Sequence, residues 1–122
     1  MRVLAIGDVT AGGLAYLKSR LPRLKREKDI DFCVVNGENA SLVGMTPQQA
    51  EDILCAGADV ITMGNHTWNR RELIPYIDDS REVLRPANFP PQQPGRGWGV
   101  FETRCGDVAV IDLIGRVSMD YT

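Results

Sequence analysis

The sequence predicts an α/β fold, a layered sheet with a parallel βαβαβ core followed by a C-terminal hairpin. Short apolar runs at residues 3–6, 31–37 and 60–64 alternate with amphipathic stretches at helical spacing. Two further runs, 98–103 and 108–113, are joined by the turn-type segment Arg104-Cys105-Gly106-Asp107. The chain has 122 residues, 43% hydrophobic and 25% charged, which suits one domain with one core.

Each element has its own signal. Val3-Leu4-Ala5-Ile6 ends at Gly7-Asp8 and reads as a buried strand. Leu14, Leu17, Leu21 and Leu24 then recur at three- and four-residue spacing, which predicts a helix over 11–28. Pro22 lies inside it and predicts a kink or a division near Leu21. Gly12 and Gly13 read as opening that helix close to the sheet. Residues 31–37 form the second strand. Thr46 as N-cap, Pro47 at the first helical position and Gln49 closing a capping box start the next helix. It carries Ala50, Ile53 and Leu54, reads Cys55 as a core residue, and stops near Gly57. Residues 60–64 form the third strand, and Leu73, Ile74 and Ile77 predict a short helix bent at Pro75. The three apolar strands should lie side by side, each covered on both faces. Residues 85–97 hold four of the seven prolines and predict an irregular segment. Arg85, Arg96 and Trp98 in or beside it read either as an ordered surface loop or as contacts to an anion.

The exclusions are equally direct. Fourteen Lys and Arg against sixteen Asp and Glu give a net charge of −2, so no basic footprint for duplex nucleic acid is present. The longest apolar run, Val3 to Ile6, is far short of the ~20 residues that span a bilayer. Met1-Arg2 leads straight into that run without a signal-peptide pattern. Cys33, Cys55 and Cys105 are odd in number and far apart, with no CxxC pair. A cytoplasmic protein with free thiols is the expectation.

In open α/β sheets ligands bind beyond the carboxyl ends of the strands. All three predicted strands deliver polar groups there. The first ends in Asp8, the second in Asn36, Glu38 and Asn39, and the third in Asn65 and His66. Neighbouring parallel strands lie ~4.8 Å apart, so these groups should converge on one rim. Carboxylates, amides and an imidazole together suit a divalent ion of the Mn, Fe, Zn or Mg type. Singly, each has a plainer role. Asp8 suits a helix N-cap, Asn36 and Asn39 suit a turn around Gly37, and a lone His66 suits a structural hydrogen bond. Residues 7–13 lack the GxGxxG spacing and the GxxxxGK[ST] lysine of nucleotide-binding loops.

Taken together, Gly7-Asp8, Asn36-Gly37-Glu38-Asn39-Ala40 and Gly64-Asn65-His66-Thr67-Trp68 resemble a bacterial calcineurin-like metallophosphoesterase family, the 2′,3′-cyclic-nucleotide 2′-phosphodiesterases. Residues 84–90, 94–97 and 115–117 match its pattern as well. The resemblance implies the N-terminal half of a metallophosphoesterase fold with a site for two divalent transition ions, Fe or Mn first, Zn or Mg next. Asp8 would ligate one ion with Asn39 near it, Glu38 would bridge both, and Asn65 would ligate the second. His66 would be the catalytic acid or charge stabiliser. The substrate would be a cyclic nucleotide or similar small phosphodiester. Two departures stand out. The segment after Gly-Asp lacks the family's Pro-Gly-Arg, and the family's second half supplies further histidine ligands. Residues 1–122 are therefore expected to be a single truncated domain, inactive alone, with an unpaired edge that favours a homo-oligomer. A non-catalytic α/β module binding a ligand or partner through the same rim is the alternative.

Overall fold

A computed structural model describes residues 1–119. Its element order is β1 (Val3–Ile6), α1 (Ala11–Glu27), β2 (Phe32–Asn36), α2 (Pro47–Ala56), β3 (Val60–Thr62), α3 (Leu73–Asp79), β4 (Val83–Leu84), β5 (Trp98–Thr103) and β6 (Gly106–Ile111). The first four strands form one parallel sheet in the order β1-β2-β3-β4, and β5 and β6 form an antiparallel hairpin. Residues 120–122 lie outside the described residues.

Strand order that follows chain order, with right-handed crossovers, puts all three helices on one face of the sheet. Leu17 and Leu21 of α1, Ile53 of α2, and Leu73 and Ile77 of α3 share one core with Cys33, Val35, Ile61 and Val83 of the strands. The alternate strand residues point the other way. Phe32, Val60 and Leu84 pack against Phe101 of the hairpin, with the Phe32 and Phe101 rings 5.8 Å apart. Burial of Cys33 pushes its thiol up to about 11, so it behaves as a small apolar residue.

The α2 signals are realised in full. The Thr46 side chain accepts from the Gln49 amide at 3.2 Å, and the Gln49 side chain accepts from the Thr46 amide at 2.9 Å. Gly57 caps the helix at φ +128°, where a Cβ would be strained.

Several expectations are corrected. Helix α1 runs through Pro22 without a break. A proline inside a helix costs ~3 kcal/mol. Burial of Leu17 and Leu21 before it, and the Lys25 Nζ bond to the Gly57 carbonyl (2.7 Å) after it, hold both segments to the same neighbour. Gly12 is not a close-approach glycine, since a Cβ there meets nothing within 4 Å. Cys55 is exposed, because the buried face of α2 is Ala50, Ile53 and Ala56, and Cys55 stands two positions, or ~200°, from Ile53. A fourth parallel strand, β4, adds to β3 through Ile61–Val83 and Thr62–Leu84. Strand β1 is covered on one face only. Leu4 and Ile6 meet the helices, whereas Val3 is 53% exposed and Ala5 is exposed, because the hairpin packs over β2 to β4 and stops short. The hairpin turn is also tighter than expected: Thr103 pairs with Gly106, leaving Arg104 and Cys105 as the loop.

Candidate functional site

The carboxyl ends of β1, β2 and β3 meet at one rim. Pairing continues past the strands, since the Val9 amide donates to the Asn36 carbonyl (3.0 Å) and the Gly37 amide to the Thr62 carbonyl (3.1 Å). Asp8 lies in this extension at φ +43°, a left-handed conformation that Asp tolerates better than most side chains. It does not cap α1, whose N-cap is Thr10. Asn36 has the turn role, its side chain accepting loosely from the Glu38 amide at 3.4 Å.

The five candidate residues are joined in one network. Asn39 Nδ2 donates to Asp8 Oδ1 at 2.7 Å, and Asn39 Oδ1 lies 3.0 Å from His66 Nδ1. Asn65 Nδ2 lies 3.3 Å from His66 Nε2. One polarity satisfies all three contacts. In it His66 Nδ1 donates to Asn39 and Nε2 accepts from Asn65. Both amide atoms of Asn39 are thereby engaged, whereas Asn65 Oδ1 has no partner among the described residues. Glu38 Oε2 accepts from the His66 backbone amide at 3.3 Å and stands 3.9 Å from His66 Nδ1.

Gly64 makes room for Glu38. A Cβ at Gly64 would fall 2.6 Å from Glu38 Cδ and 2.7 Å from Oε1. The Gly64 carbonyl accepts from Thr67 Oγ1 at 2.6 Å, and Thr67 is fully buried, so the turn carrying Asn65 and His66 is held from below.

Asp112, which the sequence pattern did not single out, supports this turn from the hairpin side. It is 7% exposed, and its Oδ2 accepts from the Met63 amide at 2.9 Å. Burial pushes its carboxyl up to about 7; the Met63 bond opposes this and the Glu38 charge adds to it. A signal existed. Asp112 has the same strand parity as Val108 and Val110, which pack inward, so an acid stood on an apolar face.

Arg85 belongs to the loop rather than to a ligand. It is 5% exposed, and its guanidinium donates to the carbonyls of Pro94 (3.0 Å), Pro86 (3.0 Å) and Gln93 (3.3 Å). Arg96 and Trp98 are exposed. Among the described residues no group of three or more His, Cys, Asp or Glu stands close enough to hold a metal by itself, and no helix is long and apolar enough to cross a membrane.

Known proteins share this arrangement of elements. A 2′,3′-cyclic-nucleotide 2′-phosphodiesterase of Bacillus subtilis is 42% identical over 118 residues, covering 95% of this chain and 45% of that protein. A crystal structure of a hypothetical protein from Thermus thermophilus superposes with a TM-score of 0.90 at 34% identity, over 98% of this chain and 47% of the other. A novel phosphatase from Mycoplasma pneumoniae superposes with a TM-score of 0.84 at 26% identity, over 98% and 46%. The chain thus spans about half the length of the proteins it matches. The family model described as YmdB-like protein matches residues 4–122, and the chain belongs to that family.

Proposed function

We propose that the rim forms part of a phosphodiesterase centre for small phosphodiesters such as 2′,3′-cyclic nucleotides, and that it works with divalent ions. The observation that carries the reading is the space at Gly64, which a Cβ would fill and which Glu38 occupies beside the Asp8–Asn39–His66–Asn65 network. The Bacillus subtilis relative supplies the substrate class.

The donor chemistry fits. Asp8, Glu38, Asn39 and Asn65 offer oxygen atoms of the kind that Mn, Fe, Mg and Zn accept. Two ions would be held by these four residues, with the Glu38 carboxylate as the principal charged ligand. Asn39 also holds Asp8 and His66 in register, so its carbonyl oxygen would serve an ion only by releasing His66. Two carboxylates facing a phosphodiester anion repel it, so the rim needs cations to accept such a substrate. When bound, they would polarise the phosphoryl oxygens and neutralise charge.

The chain's own acid–base group would be His66, whose side chain is 35% exposed at the rim. In this network Nε2 faces the Asn65 amide, and it would part from that amide to meet a leaving oxygen.

The test uses the complete gene product and 2′,3′-cyclic AMP. Turnover with Mn²⁺ should disappear in EDTA, and Glu38→Gln should lose bound metal and turnover together. Undiminished turnover in EDTA, or in Glu38→Gln, would refute the reading.

A further inference from the structure

Beside the rim a cavity of about 250 Å³ opens between the segment after β3 and the proline-rich loop, lined by Asn65, Trp68, Asn69, Phe89 and Gln93. Its walls are two aromatic rings and three amides, with no charged side chain. Trp68 Nε1 donates to Gln93 Oε1 at 2.9 Å, which fixes the Gln93 amide and leaves its Nε2 as a donor. Neither that nitrogen nor the Asn69 side-chain amide has a partner among the described residues. The loop behind is stiff. Arg85 clamps three of its carbonyls, and prolines 86, 90, 91 and 94 restrict the rest.

We propose that this cavity is the nucleobase subsite of the phosphodiester substrate and that it takes adenine. The inference rests on the phosphodiesterase reading for what lies next door, but its own chemistry is separate. At about 250 Å³ the partly open cavity matches the size of one ring system. The half-buried Trp68 ring supplies a surface for stacking, a contact available to any base, and the buried Phe89 backs the cavity. Asn69 and Gln93 supply the donor and acceptor pattern with which side-chain amides pair to the N6 and N7 edge of adenine. The uncharged lining excludes the phosphate as occupant. Asn65 belongs to both the cavity and the rim, so a base here and a phosphate there lie side by side, as in a single nucleotide. A pre-fixed loop loses little freedom on binding.

Adenosine tests this, because it has the base and no phosphate, and no metal is needed. In proton–nitrogen correlation spectra of the complete gene product, adenosine up to ~5 mM should give saturable shifts of the Trp68 indole and of the Asn69 and Gln93 side-chain amides. The exposed Trp98 indole should stay still, and ribose should move nothing. Asn69→Ala, at an exposed position that folding tolerates, should weaken adenosine binding about tenfold. The subsite is overturned if adenosine leaves Trp68 unmoved, if ribose or Trp98 responds equally, or if Asn69→Ala binds as the parent does. Adenosine binding without turnover on cyclic AMP would keep the subsite and remove the phosphodiesterase reading. Turnover without adenosine binding would do the reverse.

Discussion

Replacing Asp112 by asparagine should stabilise the protein above neutral pH and leave it nearly unchanged near about pH 4. Burial moves the Asp112 carboxyl from the ordinary 3.8 up to about 7. The folded chain therefore keeps a proton that the unfolded chain gives up at lower pH. The resulting stability is fully present below about pH 4, declines as pH rises, and is gone once pH passes about 7. A rise of about 3 pH units is worth about 4 kcal/mol, an upper figure for a group packed under a turn. Asparagine retains an oxygen for the Met63 amide and has no charge to desolvate, so the variant escapes the decline. Urea unfolding of both proteins at intervals from about pH 4 to 8, with EDTA present, reads the difference directly. The variant's advantage should grow by at most ~1.4 kcal/mol per pH unit and level off above about pH 7. A difference that is flat with pH, or that favours the parent protein at pH ~8, would refute the account of Asp112 as a desolvated acid.

In the complete gene product, Glu38→Gln should lose metal and turnover together, whereas His66→Ala should keep metal and lose ~10²–10⁴-fold in rate; metal content and turnover measured on the same samples decide this. Gly64→Ala should push the Glu38 carboxylate off the rim, lowering Mn²⁺ affinity at least tenfold with a stability change below ~1 kcal/mol, because the obstacle is the end of a flexible side chain; calorimetric titration reads the first and thermal unfolding the second. Phe101→Ala should cost about 3–5 kcal/mol in urea unfolding, since the hairpin rests on Phe32, Val60 and Leu84 through that ring. The chain alone should self-associate at micromolar concentrations, because the free edge of β1 and the exposed Trp98, Ile111 and Leu113 lie open; a single monomeric boundary in sedimentation velocity would contradict this.

Most of the sheet was legible because apolar runs such as 3–6 and 60–62 are bounded by polar or turn residues, and α2 because Thr46, Pro47, Gln49 and Gly57 each have one strong local meaning. What escaped depends on distant parts of the chain. Two residues, Val83 and Leu84, are too few to show a period, and their pairing with Ile61 and Thr62, with a bridge from Leu84 to Arg96, makes them a strand. Pro22 sits within a continuous helix because the packing of Leu17 and Leu21 overrides a local penalty. The rim residues were visible as polar groups after strands, but the polarity of their hydrogen bonds was not, since Asp8 and Asn39 are 31 residues apart. Asp112 was hidden by its neighbours: an acid in an alternating strand looks solvent-facing until its parity is counted.

The parallel sheet and the hairpin that covers it differ in how far along the chain their partners lie, and this sets an order of assembly. Within the sheet Val3 pairs with Phe32, Val34 with Val60 and Ile61 with Val83, each pairing closing a short crossover. From the hairpin Arg104 reaches Asp31 across 73 residues, and Phe101 reaches Phe32. The longer closure adds only about 1 kcal/mol of chain entropy, but it has no surface to land on until β2, β3 and β4 are side by side. The hairpin is therefore expected to dock after the rate-limiting barrier. Stopped-flow refolding of Phe101→Ala should show a nearly unchanged folding rate and much faster unfolding, whereas Ile61→Val should slow folding. The reverse pattern would mean that the hairpin nucleates the fold.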